Sequence, residues 1–297
     1  MISVKNLTKK FDGVCALENV TCTIQNGCIY GMVGSNGAGK STFLRTIAGV
    51  YKPDGGEALL DGEKIFENPA AKAKIAYVAD ELYYLPAASL KRMGKLYKSL
   101  YPQFDNDQFK ALIKELELPE TRGINTFSKG MRRQALTALA LCTKPDYIFF
   151  DETFDGLDPV MRNYIKKLIC KDVVDRGATA IITSHSLREL EDTCDQLALL
   201  HKGGLILESD VQNLKTSQYK IQIAFLEEYD KSKFEGINIV HFVKHGSVSN
   251  LIVKGDRDET VAKMKAMNPI LLDVLPLTLE EVFTYEMEAL GYSFNLE

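Results

Sequence analysis

Gly34-Ser35-Asn36-Gly37-Ala38-Gly39-Lys40-Ser41-Thr42 sets three glycines, a lysine and two terminal hydroxyls between an apolar run, Cys28 to Val33, and a helix-like run, Phe43 to Ala48. The stretch matches G-x-x-x-x-G-K-[ST] in the strand-before, helix-after context that a phosphate-binding loop requires. Glycines let the loop close tightly. The backbone N–H groups of Gly37, Gly39, Lys40 and Ser41 then point inward, where a new helix presents its unpaired donors to phosphate oxygens. Lys40 supplies a point charge to the β and γ phosphates, and Ser41 a hydroxyl to Mg²⁺. All nine residues form the candidate nucleotide-binding segment. The bland alternative is a glycine-rich turn between strand and helix, and a full match in the right context speaks against it.

A phosphate cradle says nucleotide, not purpose, because kinases, GTPases and transport ATPases all use one. The second motif narrows the choice. Tyr147-Ile148-Phe149-Phe150-Asp151-Glu152 is an apolar strand delivering two carboxylates at its carboxyl end, where open α/β sheets bind ligands. Asp151 fits a Mg²⁺ role and Glu152 the polarising of an attacking water. A solvated Asp-Glu turn is the alternative, and four bulky apolar residues ahead of it argue otherwise. Thr143-Lys144-Pro145-Asp146 has the look of a guanine-reading sequence, but it enters a strand rather than leaving one.

Outward from these motifs the chain is an α/β protein. Segment 2–61 reads as β segments with turn punctuation, interrupted by one helix after Lys40. From Leu85 to Leu118 the spacing is helical, with Leu90, Met93, Leu96 and Tyr97 on one face and Phe109, Leu112, Ile113 and Leu116 on another. Helix candidates at 130–142 and 159–175 alternate with apolar strands at 147–150 and 179–183, which implies a parallel sheet covered on both faces. Beyond about Thr216, period-two alternation from Tyr219 to Phe225 and segments 237–243 and 248–253 predict a small sheet, with helices over 259–268 and 278–290. Thr278 and Glu281 have capping-box spacing.

Composition sets outer limits. At 297 residues and 45% hydrophobic content the chain has room for a large domain and a smaller one. A formal charge of -4 gives no electrostatic footprint for a nucleic-acid backbone, so no nucleic acid is expected as partner. The six cysteines lack CxxC pairing and sit mostly in apolar runs, which fits a reducing cytosol. The first residues lack a signal-peptide layout, and no stretch reaches the roughly 18 apolar residues of a membrane span.

Four elements in fixed order carry a family resemblance: the phosphate loop, Phe127-Ser128-Lys129-Gly130-Met131 before a helix, Phe150-Asp151-Glu152 followed by Asp155-Gly156-Leu157-Asp158, and Ile182-Thr183-Ser184-His185. This order resembles the nucleotide-binding subunits of ABC transporters, over roughly residues 1–216. The resemblance implies a P-loop NTPase core with an N-terminal antiparallel β subdomain and a helical insert at about 85–142, followed by a small α+β domain at 217–297. It implies ATP and Mg²⁺ as cofactors and hydrolysis of ATP coupled to transport. The partners it implies are an integral membrane subunit and a second ATP-binding subunit, identical or not. Two subunits of the family clamp ATP head to tail, so the signature helix of one faces the nucleotide of the other. The implied location is cytoplasmic, peripheral to the inner face of the cell membrane.

Residue by residue, the resemblance places Phe11 against adenine, Ser128 and Gly130 against a partner's nucleotide, and Asp158 between the two composite sites. His185 follows an apolar strand, where a neutral imidazole holds the γ phosphate and the attacking water. Lys40, Glu152 and His185 are thus the candidate catalytic residues, and Ser41, Asp80 and Asp151 the candidate metal ligands. Two departures stand out. Lys129 and Met131 replace the first glycine and the glutamine of LSGGQ, and Lys129 either obstructs closure or attracts phosphate. Asp80 stands where the family usually has glutamine, bringing a negative charge towards an anionic centre. Segment 276–283 looks like the carboxyl-terminal extension of exporter subunits for drugs, peptide antibiotics or small metabolites. Tyr83, Tyr84, Leu85 and Pro86 are either a docking patch or core. Rival functions are a soluble ABC-type ATPase on ribosomes, DNA or metal-cluster assembly, whose coiled-coil insertions, second P-loop and basic tails are missing here, and a phosphotransferase.

Overall fold

The computed structural model describes residues 1–81, 84–213, 218–275 and 277–289. The chain divides into two compact units, Met1–Glu208 and Ser209–Glu297. The domain boundary expected at 216/217 lies outside the described residues.

The first unit opens with a four-stranded antiparallel sheet, order β2-β1-β4-β5, made of β1 (Ile2–Phe11), β2 (Val14–Ile24), β4 (Gly55–Leu60) and β5 (Glu63–Lys64). A six-stranded sheet has the order β10-β9-β3-β8-β7-β6: β3 (Ile29–Val33), β6 (Ile75–Val78), β7 (Tyr147–Asp151), β8 (Thr179–Ser184), β9 (Gln196–His201) and β10 (Gly204–Asp210). The pairings β6/β7, β7/β8, β8/β3 and β3/β9 are parallel. Every residue of β3, β7 and β8 is buried. That accounts for their largely apolar sequences: with both faces covered, neither offers water a polar stripe.

The helices are α1 (Lys40–Ile47), α2 (Pro69–Lys72), α3 (Leu90–Leu100), α4 (Asn106–Glu115), α5 (Lys129–Cys142), α6 (Pro159–Arg176) and α7 (Leu187–Leu190). Side-chain caps fix where several start: Ser89, Asp105, Ser128 and Asp158 each accept a backbone N–H from the first turn of α3, α4, α5 and α6. Helix α6 adds Pro159 at its first position and ends on Gly177 in the left-handed region, φ +67°. The faces expected at Leu90 and Met93, and at Phe109, Leu112, Ile113 and Leu116, are buried in one helical core, with Leu96 and Tyr97 packed against it. Tyr84 and Leu85 join that core, and the Tyr84 hydroxyl donates to the Arg132 carbonyl. Both are partly buried against that core, and Pro86 is exposed. Tyr83 lies outside the described residues.

In the second unit, β11 (Gln218–Ala224), β12 (Ile239–His245), β13 (Val248–Lys254) and β14 (Leu271–Leu275) form an antiparallel sheet of order β12-β13-β11-β14, accompanied by α8 (Arg257–Lys265) and α9 (Leu279–Ala289). Strand β14 has no counterpart in the sequence reading. Its Leu271, Leu272, Val274 and Leu275 do not alternate cleanly, and it gains its partners only on pairing with β11. The capping box is formed: Glu281 N–H donates to Thr278 Oγ1 at 3.2 Å and Thr278 N–H to Glu281 Oε2 at 3.1 Å.

Candidate nucleotide site

Parallel pairing brings the carboxyl ends of the buried strands to one edge. Val33 pairs with Ser184 and Asp151 with Thr183, so the segments after β3, β7 and β8 emerge side by side, and β6 delivers Asp80 next to β7. A cleft of about 410 Å³ opens there, lined by residues 36–42, Ala16, Asp80, Glu152, Asp155 and His185.

Crowding dictates two of the loop glycines, Gly34 and Gly39, while Gly37 has open space but a left-handed φ of +79°. A Cβ on Gly34 would sit 2.3 Å from the Leu200 carbonyl oxygen. Gly39, at φ +105°, would bring one within 2.5 Å of the Ala16 carbonyl oxygen. Gly39 is also the first cap of α1 and offers no side chain to its free N–H groups, so those donors remain available to an anion.

Lys40 is 5% exposed. Its Nζ donates to the Gly34 carbonyl at 2.6 Å and the Ser35 carbonyl at 3.2 Å, and lies 3.1 Å from Glu152 Oε1. The other Glu152 oxygen, Oε2, is 3.1 Å from His185 Nδ1. One carboxylate therefore joins the loop lysine to the histidine after β8. Glu152 itself adopts φ +48°, a costly conformation for a residue with a Cβ, and its N–H donates to Thr183 Oγ1 at 3.1 Å.

Asp151 is fully buried behind the cleft. Its Oδ1 accepts from the Ser41 and Thr183 hydroxyls, both at 2.9 Å, and its Oδ2 from the Tyr77 hydroxyl, also at 2.9 Å. Burial, followed by the charge of Asp151, pushes the Tyr77 phenol well above its ordinary pKa and keeps it a proton donor. Among the described residues no group of three or more His, Cys, Asp or Glu side chains is arranged around a common metal position. The donors present nevertheless suit magnesium, which takes few protein oxygens and completes its shell with phosphate and water: the Ser41 hydroxyl and the Asp151 carboxylate stand together beside the loop.

Other expected residues stand elsewhere. Asp80 lines the cleft, yet its Oδ1 accepts from Arg133 Nη2 at 2.5 Å. Phe11 is not in the cleft lining: 38% exposed, it meets Tyr51 edge-on at 5.1 Å and carries Lys9 Nζ 5.0 Å above its ring. Ser128 caps α5, accepting from Met131 N–H at 3.1 Å, with Gly130 in its first turn. Asp158 caps α6, accepting from Val160 and Met161 N–H at 3.0 and 2.9 Å. Tyr77, Thr183, Asp155 and Arg133 escaped the sequence reading as site residues. A hydroxyl inside an otherwise apolar strand was the available signal for the first two; for Arg133 it was one of two adjacent arginines that a helix must turn inward.

This fold and this edge define a P-loop nucleoside triphosphatase. The sequence model of the ABC transporter family matches residues 17–155. The ABC transporter ATP-binding protein YtrB of Bacillus subtilis is 31% identical over 283 residues, covering 95% of this chain and 97% of YtrB. The daunorubicin/doxorubicin resistance ATP-binding protein DrrA of Streptomyces peucetius is 30% identical over 223 residues, 73% of this chain and 67% of DrrA. The dimeric structure of MJ0796, a bacterial ABC transporter cassette, superposes with a TM-score of 0.65 at 24% identity, covering 71% of this chain and 99% of that one. The chain belongs to the ABC transporter family and is an ATP-binding subunit with ATPase activity.

Proposed function

We propose that this chain powers the export of a drug, peptide antibiotic or small metabolite, acting with a separate membrane subunit and a second ATP-binding subunit at the inner face of the cell membrane. Among the described residues no helix is long and apolar enough to cross a membrane. The likeness to DrrA, named for drug resistance, and to the linearmycin resistance ATP-binding protein LnrL of Bacillus subtilis supports export.

The observation that carries the catalytic reading is the Lys40–Glu152–His185 chain at the mouth of α1. ATP phosphates bind at the free N–H groups of α1, and Lys40 transfers its ammonium from carbonyls and carboxylate to the β and γ phosphates. Glu152, released from Lys40, orients the attacking water and draws its proton, while His185 holds the γ phosphate and that water in line. Bound magnesium would neutralise charge on the phosphates, held by Ser41 and Asp151. Phe11 stacks on adenine. Ser128 and Gly130, at the start of α5, meet the nucleotide of the facing subunit, and Asp158 links the two composite sites. Exchange of Glu152 for glutamine keeps the shape and removes the base. Steady-state hydrolysis by Glu152→Gln is expected to fall by about 10² to 10⁴ with Mg-ATP binding retained; an unchanged kcat would refute the role given to Glu152.

A further inference from the structure

We infer that Arg133 is a positioning residue for the rim of the cleft, and that Asp80 serves as its counter-ion and not as a magnesium ligand. Arg133 lies in the second turn of α5 and is 0% exposed. Its Nη2 reaches Asp80 Oδ1 at 2.5 Å and Asp155 Oδ2 at 3.8 Å. Lys129, four residues earlier on the same helix, puts its Nζ 2.5 Å from that same Asp155 oxygen. Residues spaced by four share a helix face, so one face of α5 presents two cations to two carboxylates that come from separate segments, one after β6 and one after β7. The four charges balance.

The burial of Arg133 decides between the two roles for Asp80. Among the described residues, its Nε and Nη1 have no hydrogen-bond partner, so the Asp80 carboxylate is the closest compensation for a guanidinium held out of water. Drawing Asp80 onto a metal would strip that compensation and leave a buried cation with Asp155 at 3.8 Å. Ser41 and Asp151 meanwhile supply oxygen donors that need no such exchange. The replacement of an expected glutamine by Asp80 thus has a local reason: its charge answers Arg133 and is not added to the anionic centre. Since α5 is capped by Ser128 and packs on the core of α3 and α4, Arg133 ties the cleft rim to the helical region.

The test uses the full chain with Asp80→Asn, Arg133→Met, the double variant, and Arg133→Lys. Without nucleotide, Asp80→Asn is expected to lower the thermal midpoint by about 5 °C or more, because it leaves a buried cation without its counter-ion, and Arg133→Met is expected to lower it less, because the carboxylate it leaves is 45% exposed. The double variant, lacking both charges, is expected to regain at least half of the summed loss, as coupled neighbours do. Additive losses, or an Asp80→Asn midpoint equal to that of the parent, overturn the inference. The assignment of Asp80 rests on the proposed magnesium-triphosphate site, and calorimetry addresses it. Asp80→Asn is expected to shift the magnesium concentration for half-maximal ATP binding less than about twofold, against about tenfold for Ser41→Ala. A tenfold shift for Asp80→Asn makes it a ligand and overturns the counter-ion role. Arg133→Lys keeps a charge but not its reach, and is expected to lower kcat about tenfold with KM for Mg-ATP within about twofold, the split of a residue that orients without binding; a kcat equal to the parent's overturns the positioning role. Should the parent chain bind no Mg-ATP at all, the proposed function fails alone, since the midpoint cycle decides the Arg133–Asp80 pair without nucleotide.

Discussion

Asp151 and Arg133 are both fully buried charges beside the same cleft, and they are held in opposite ways. Asp151 has three hydroxyl donors, from Ser41, Tyr77 and Thr183, all neutral and all delivered by the sheet or the loop. Arg133 has one close carboxylate and two nitrogens without partners among the described residues. The anion sits in a finished cradle that tolerates an added cation, whereas the cation depends on a single acid from another segment. Buried polar groups of the first kind stiffen a site; those of the second kind make its geometry hostage to one contact.

The largest effect that would break this contrast comes from the threonines. Thr183 is buried, donates to Asp151 at 2.9 Å and accepts the Glu152 N–H at 3.1 Å, so Thr183→Val orphans the Glu152 N–H and takes one of the three donors from Asp151. The expected loss is about 1–3 kcal/mol, a fall of roughly 2–10 °C in midpoint. Thr137, in α5, is equally buried, but its Oγ1 has no partner among the described residues, and Thr137→Val is expected to be neutral or stabilising because it removes a hydroxyl that makes no hydrogen bond there. Equal losses for the two would mean that shape, not hydrogen bonding, holds the cradle.

How much of this was legible follows the same division. The loop from Gly34 to Thr42, Asp151, Glu152 and His185 could be located from sequence because each sits at the end of a strand whose apolar run announces it, and parallel pairing then brings those ends together. The N-terminal sheet, the helical region and the capping box at Thr278 were readable from turn punctuation and periodicity for the same local reasons. The Asp80–Arg133–Asp155–Lys129 cluster was not, since its members come from three segments and no spacing rule relates residue 80 to residue 133. Strand β14 was hidden likewise, because a strand at a sheet edge takes its identity from its neighbour.

A middling effect sharpens the comparison at the helix starts. Asp158 accepts two N–H groups at the start of α6, and Ser128 one at the start of α5. Ordinary caps are worth about 1 kcal/mol, so Asp158→Ala and Ser128→Ala should each cost about that much in thermal melts without nucleotide. A distinctly larger loss for Ser128→Ala would show that the start of α5 bears on the Arg133 cluster four to five residues on.

The smallest effect concerns Lys129 and Asp155, the exposed end of that cluster. The Lys129 hydrogen bond holds the Asp155 carboxyl below the usual carboxylate range; burial opposes it, and the charges of Lys129 and Arg133 add to the lowering. A depressed folded-state pKa means that the unfolded chain binds more protons in the window between the two values, so this contribution is complete above the ordinary carboxylate pKa and is lost as pH falls through the folded value. Both side chains are about half exposed, at 59% and 43%, and solvent screening keeps the expected contribution below about 1 kcal/mol. The midpoint gap between the parent chain and Lys129→Ala should therefore be widest near neutral pH and narrow below about pH 4. A gap that does not change with pH would transfer the contribution of Lys129 from its charge to its stem, whose Cδ lies 3.1 Å from where a Cβ on Gly156 would stand. On that outcome, Arg133 alone would carry the electrostatics of the rim.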